Sequence, residues 1–114
     1  MFTLVVLESP FAGDVVNNVR YARACMKDCL AKGEAPYASH LLYTQEGVLD
    51  DTIPVEREWG IQAGFAWRQV AEKTVVYTDL GISRGMQYGI DDARKRGNPV
   101  EFRTLPSWEP EGEG

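Results

Sequence analysis

Apolar runs without alternation recur along this chain, and each gives way to a segment with helical spacing. Phe2 to Leu7 is rich in branched residues and stops at Glu8-Ser9-Pro10. Such a run predicts a strand buried on both faces, as in a parallel sheet covered by helices. Asp14 then caps a predicted helix running to about Lys32, with Val15, Val19, Ala22, Met26 and Cys29/Leu30 as its apolar stripe and Gly33 as its stop. Ala35-Pro36-Tyr37-Ala38 is a weak strand candidate, and the chain passes from Ser39–Thr44 into a polar loop, Gln45 to Asp51. A second helix opens near Thr52, with Pro54 in its first turn. Thr74 to Thr78 is the clearest further buried strand, Asp79 to Ile82 its exit loop, and Ser83 the N-cap of a third helix using Met86, Ile90 and Ala93. That helix ends in Arg94-Lys95-Arg96 before Gly97, and Pro99 to Phe102 forms a short last strand.

Strands alternating with helices imply right-handed crossovers. The expected fold is therefore α/β: a three-layer, doubly wound, Rossmann-like or flavodoxin-like parallel sheet of about four to five strands in the order 2-1-3-4. Its switch point falls between the first and third strands, where such sheets bind ligands. One domain over residues 1–105 accounts for the pattern. From 106 to 114 the composition turns to Pro, Glu and Gly, and an acidic, flexible tail is expected there, Trp108 included.

Charge narrows the function classes. A net charge of -5 argues against a DNA or RNA polymer as partner, which would require clustered Lys and Arg. A single nucleotide needs only one local positive pocket. Cys25 and Cys29 stack on one helix face with poor disulfide geometry and read as reduced thiols. No metal site and no cofactor is expected, because the lone His40 completes no known ligand spacing. Met1 to Leu7 lacks the basic start of a signal peptide, and no apolar stretch approaches the ~18 residues of a membrane span. A cytoplasmic protein without a membrane partner is expected.

Two loops meet at the switch point. Gly81-Ile82-Ser83-Arg84-Gly85-Met86 joins a strand end to a helix start, with a capping hydroxyl, free backbone N–H groups and the charge of Arg84. Such an entrance attracts anions; it also reads as nothing more than a well-capped helix. Opposite lies Ser9-Pro10-Phe11-Ala12-Gly13, where Phe11 either stacks on a base or sugar or staples the first helix. Glu8 and Asp79 both follow buried strands, so their carboxylates are expected to face the crevice for a ribose diol or acid–base work, or else to cap helices. Arg20, Arg57 and His40 are within reach of a ligand, but such residues are more often surface or loop residues. Gly60 and Gly64 share a face of the second helix, and close packing on the sheet or on a partner subunit is expected to offset their cost of about 1 kcal/mol each. Trp59 and Trp67 of that helix fit a core or subunit contact.

The run from Asp79 to Ala93 (DLGISRGMQYGIDDA) resembles small phage and bacterial domains similar to the nucleoside 2-deoxyribosyltransferases and deoxynucleoside-monophosphate N-glycosidases. The likeness to the small domains extends over Leu4 to Leu105, including the Ser9–Gly13 start. In those enzymes a Ser-x-Gly turn leads to a helix whose glutamate attacks the anomeric carbon. Laying Ser83 and Gly85 on that turn puts Gly89 where the glutamate would stand. Asp91 and Asp92 are rotated away by about 100° per residue. The resemblance thus implies a nucleotide or nucleoside pocket lacking its usual attacking group. It points to a binding protein, with sequestration of a host nucleotide signal (and a host-cytoplasm location) if the gene is a phage's. Two alternatives stay open: a transferase or N-glycosidase with a substitute carboxylate, and a structural or protein-interaction domain. A glutamate restored at position 89 is expected to create weak glycosidase activity. Because such relatives complete their sites across subunits, a homo-oligomer is expected.

Overall fold

A computed structural model describes residues 1–108. Four strands, β1 (Thr3–Glu8), β2 (Glu34–Tyr37), β3 (Lys73–Tyr77) and β4 (Val100–Arg103), form one sheet in the order β2-β1-β3-β4. Every pairing is parallel: Val5 lies opposite both Pro36 and Lys73, and Val76 opposite Phe102. Helices fill the crossovers: α1 (Val15–Ala31), the single-turn α2 (Ser39–Leu42), α3 (Pro54–Arg68) and α4 (Arg84–Lys95). The doubly wound order is the one read from the sequence, with four strands. Asp14 caps α1 through Asn17 N–H, and Ser83 caps α4 through Met86 N–H. Gly33 and Gly97 follow their helices with φ of 78° and 72°, the left-handed turn that Gly accepts without a Cβ penalty.

The two faces of the sheet are buried by different chemistry. Alternation along the strands sends Val5, Leu7, Val75 and Tyr77 toward α1, where they pack with Tyr21, Cys25 and Cys29. Both cysteines are free thiols, and burial raises their pKa values. Trp108, assigned to the tail by composition, instead sits edge-on to Tyr21 at 4.9 Å with the Arg20 guanidinium 4.1 Å over its ring. Residues 109–114 of that expected tail lie outside the described residues. No described helix is long and apolar enough to cross a membrane.

Toward α3 and α4 the apolar set is smaller: Val76, Met86 and Ile90, with Val100 partly buried. Val6 and Ala93 are buried as well, and an ionic cluster completes the layer. Arg68, the last residue of α3, is 2% exposed. Its Nε donates to Thr74 Oγ1 (3.0 Å), Nη1 to Asp92 (3.0 Å) and Nη2 to Glu8 (2.5 Å). Asp92 is closed on its outer side by Arg96 at 2.9 Å. One guanidinium thereby ties β1, β3, α3 and α4 together. The tryptophans of α3, by contrast, are exposed: Trp59 at 58% and Trp67 at 46%.

Replacing Arg68 by Met would leave two carboxylates buried without their shared cation. We expect a loss of about 3–5 kcal/mol, the usual cost of breaking a buried ion pair from one side. Urea unfolding followed by tryptophan fluorescence measures it.

Candidate ligand-binding site

A cavity of about 210 Å³ opens where β1 and β3 end. Its sheet side is made by Glu8, Ser9, Phe11 and Ala12 leaving β1 and by Ser83, Arg84, Gly85 and Met86 entering α4. All eight were among the residues predicted to meet a ligand. Gly13 lines a broader hollow of about 710 Å³ that adjoins the cavity through Phe11 and Ala12. Pro10, Asp79 and Gly81 line neither. Asp79 is turned the other way: its carboxylate accepts from Tyr21 Oη at 2.5 Å and from Leu105 N–H at 2.9 Å. The expected pairing of Glu8 with Asp79 is therefore not formed, because Asp79 ties α1 to the segment after β4.

The outer wall comes from α2, the following loop and α3, through Ser39, His40, Tyr43, Leu49, Arg57 and Ile61. His40 and Arg57 were noted in the sequence as residues within reach; the others carry no motif. The paired glycines of α3 also face this wall. A Cβ at Gly64 would stand 3.2 Å from Ser39 Oγ, and one at Gly60 3.4 Å from Leu49 Cδ1. Their close neighbours are thus α2 and the loop, not the sheet. Ser9 Oγ and His40 Nε2 are 2.7 Å apart, joining the two walls by a hydrogen bond. Burial pushes His40 down from 6.5 to about 4, so the imidazole is neutral at pH 7.

At the mouth, Arg84 and Arg57 are exposed and form no side-chain hydrogen bond or ion pair among the described residues. The first-turn N–H groups of Arg84 and Gly85 have no intrahelical acceptor, while Met86 N–H is taken by Ser83 Oγ at 3.2 Å. A Cβ on Gly85 would meet only Ser83 Oγ, at 4.0 Å, so the entrance to α4 is open. Among the described residues no group of three or more His, Cys, Asp or Glu is placed to hold a metal ion.

Deeper in, Glu8 lies against Gly89. A Cβ built on Gly89 would overlap the Glu8 carboxyl group itself. Any side chain at 89 would have to displace the Glu8 carboxyl, so a glutamate introduced there would compete with Glu8 for the same space. Burial raises Glu8 from 4.5 to about 7 against the opposing pull of Arg68, and the Asp92 charge raises it further.

Two consequences are measurable. Gly89→Ala is expected to cost about 1–3 kcal/mol by overpacking. Gly85→Ala, facing open space, is expected to change stability by less than about 1 kcal/mol, and chemical denaturation separates the two. The second concerns pH. Glu8 binds its proton more tightly folded than unfolded, so its contribution to stability is fully present below pH 4.5 and lost as pH rises through 7. Across that window the native protein should lose stability relative to Glu8→Gln with a slope of up to about 1.4 kcal/mol per pH unit. Urea titrations at pH 5, 6, 7 and 8 measure that slope.

Comparison with known proteins agrees with the architecture. A solved 2-deoxyribosyltransferase from the psychrotolerant bacterium Bacillus psychrosaccharolyticus is similar in structure, with a TM-score of 0.64. Sequence identity is 16%, and the match covers 94% of this chain and 76% of that one. At such low identity the likeness shows a shared fold. No curated protein is similar enough to match. A family model described as a domain of unknown function, DUF7768, matches residues 3–103. With a match spanning most of its length, the chain belongs to the DUF7768 family.

Proposed function

We propose that the cavity binds a nucleotide- or nucleoside-derived small molecule at the carboxyl ends of the parallel strands. The observation that carries this reading is the convergence of the Ser9–Ala12 loop and the open first turn of α4 on one cavity at the switch point of the sheet. The parts suit the ligand's chemistry. Arg57, Arg84 and the unpaired N–H groups of α4 offer an electropositive edge for a phosphate or other anion. Phe11 and Tyr43 present ring surface for a base. The neutral Ser9–His40 pair and Glu8 supply uncharged and acidic hydrogen-bonding partners. The fold shared with a 2-deoxyribosyltransferase supports a nucleoside-related ligand.

Binding without covalent glycosidic cleavage is the form of this reading we favour, since Gly89 offers no attacking group. Sequestration of a nucleotide signal, in the cytoplasm of a host if the gene is a phage's, is the corresponding biological use. Residues 1–105 form the binding domain in this reading, and assembly into a homo-oligomer through the exposed α3 tryptophans belongs to it.

One observation favours a second reading, an N-glycosidase or deoxyribosyltransferase with a relocated carboxylate. Glu8 occupies the space that a residue-89 side chain would take and opens on the cavity.

Isothermal titration at pH 7 with adenosine, deoxyadenosine, their monophosphates and ADP-ribose is expected to give dissociation constants at or below the micromolar range for at least one. The bound ligand should be recovered unchanged by chromatography. Released free base would establish the second reading in place of the first, and silence across the whole panel would remove both.

A further inference from the structure

Within the cavity, one group is half committed. Glu8 gives Oε2 to the Arg68 Nη2 donor at 2.5 Å. Its Oε1 has no hydrogen-bond partner among the described residues, yet it is not among the buried polar atoms sealed without one. The Glu8 side chain is 16% exposed, whereas the Arg68 side chain behind it is 1% exposed. That residual exposure is directed at the cavity and at the small adjoining cleft under Gly85 and Gly89, both of which Glu8 lines. A carboxyl held by one oxygen in a fixed, buried fork, with the other presented to an opening, is a preorganised acceptor.

We propose that Glu8 Oε1 anchors an uncharged hydrogen-bond donor of the ligand, a sugar hydroxyl or a base amino group, and that binding ionises Glu8 and releases a proton. This deepens the small-molecule reading of the cavity and rests on it.

The proton balance follows from the surroundings of the carboxyl. From α3 it faces Arg68; from α4, Asp92 with Arg96 behind it, and Tyr88 and Arg84 at the edges of the two openings; from α2, His40. Asp51, Glu56 and Arg57 line the cavity further out. The fixed cation contacting Glu8, Arg68, is divided between Glu8 and Asp92, so it neutralises neither fully. Burial then holds Glu8 near pH 7, partly protonated in the free protein. A ligand O–H or N–H donates more strongly to a carboxylate oxygen than to the hydroxyl oxygen of a protonated carboxyl, so binding favours the ionised form. The proton leaves from Glu8 to solvent, and no bond of the ligand changes. His40 titrates near 4 and contributes nothing at neutral pH. An anionic part of the ligand is repelled from Glu8 and directed to Arg57 and Arg84, which fixes the ligand's orientation.

The test reads Glu8 directly. In protein carrying 13C at the glutamate side-chain carboxyl, the Glu8 resonance, assigned by its absence in Glu8→Gln, is titrated from pH 4 to 9. Titrations are run free, with saturating adenosine, with D-ribose and with adenine. We expect a midpoint near 7 in the free protein and a downward shift of at least one pH unit with adenosine. D-ribose reproduces the shift if a hydroxyl is the donor, and adenine if an amino group is. Calorimetry of adenosine binding at pH 7 in phosphate and in Tris should report proton release, which Glu8→Gln abolishes while weakening binding about tenfold. Binding of any of these probes with the Glu8 midpoint unmoved overturns the proposal. A shift with D-ribose or adenine but no binding of any nucleoside supports the role of Glu8 and sinks the nucleoside reading. A Glu8 resonance unresponsive to all three probes overturns the proposal whatever the fate of that reading.

Discussion

A single guanidinium in a place that would ordinarily be hydrocarbon organises this domain. Burying Arg68 costs desolvation energy that only fixed carboxylates and hydroxyls can offset. Its demands therefore propagate outward: Thr74 on β3, Glu8 at the end of β1 and Asp92 on α4 must all be present and correctly aimed. The α1 face is free of this constraint and behaves as a conventional hydrocarbon core around Tyr21, Val75 and Tyr77. The α3/α4 face trades part of its apolar adhesion for directional contacts. Directional contacts have one useful property that dispersion lacks: they fix where a polar group points, and here that group looks into the cavity.

The strands and their order were readable because the strongest signals agree with each other. Phe2–Leu7 and Thr74–Thr78 are apolar without alternation, as strands of a parallel sheet covered on both sides are, although Phe2 and Leu4 at the start of the first run are exposed. Caps at Asp14 and Ser83 and stops at Gly33 and Gly97 are local rules, so they needed no tertiary information. Helix α3 was less legible. Of the core or subunit contact expected for Trp59 and Trp67 the core is not found, since both are exposed, and Arg68, which carried no signal in the sequence, is buried. The partners that make Arg68 an interior residue are 60, 24 and 6 positions away, and nothing in a periodicity count connects them.

The same division applies to the site. The two loops on the sheet side were legible from position alone, since residues after a buried parallel strand must emerge at the carboxyl edge. Asp79 obeyed that rule in its backbone but not in its side chain, because Tyr21 and the Leu105 amide offered closer partners. Of the outer wall only His40 and Arg57 were noted in the sequence: Ser39, Tyr43 and Leu49 have no spacing signature, and the pairing of His40 with Ser9 joins positions 31 apart. Gly89 was informative in a way its sequence context concealed. Its missing side chain looked like an erased function, whereas the space is occupied by Glu8.

The division of the cavity between two kinds of chain has a bearing on how such domains diversify. Its inner half is pinned by the sheet, by the capped start of α4 and by Arg68, where substitutions threaten folding. Its outer half is supplied largely by the stretch from Ser39 through the connection to Arg57, which enters no strand and shares little of the interior. Replacement or lengthening of that connection alone would remodel the shape and charge of the opening while the acceptor at its base stays fixed. Selectivity among members built on this plan is thereby separable from foldability, and the connection is the natural segment to exchange when redesigning what enters.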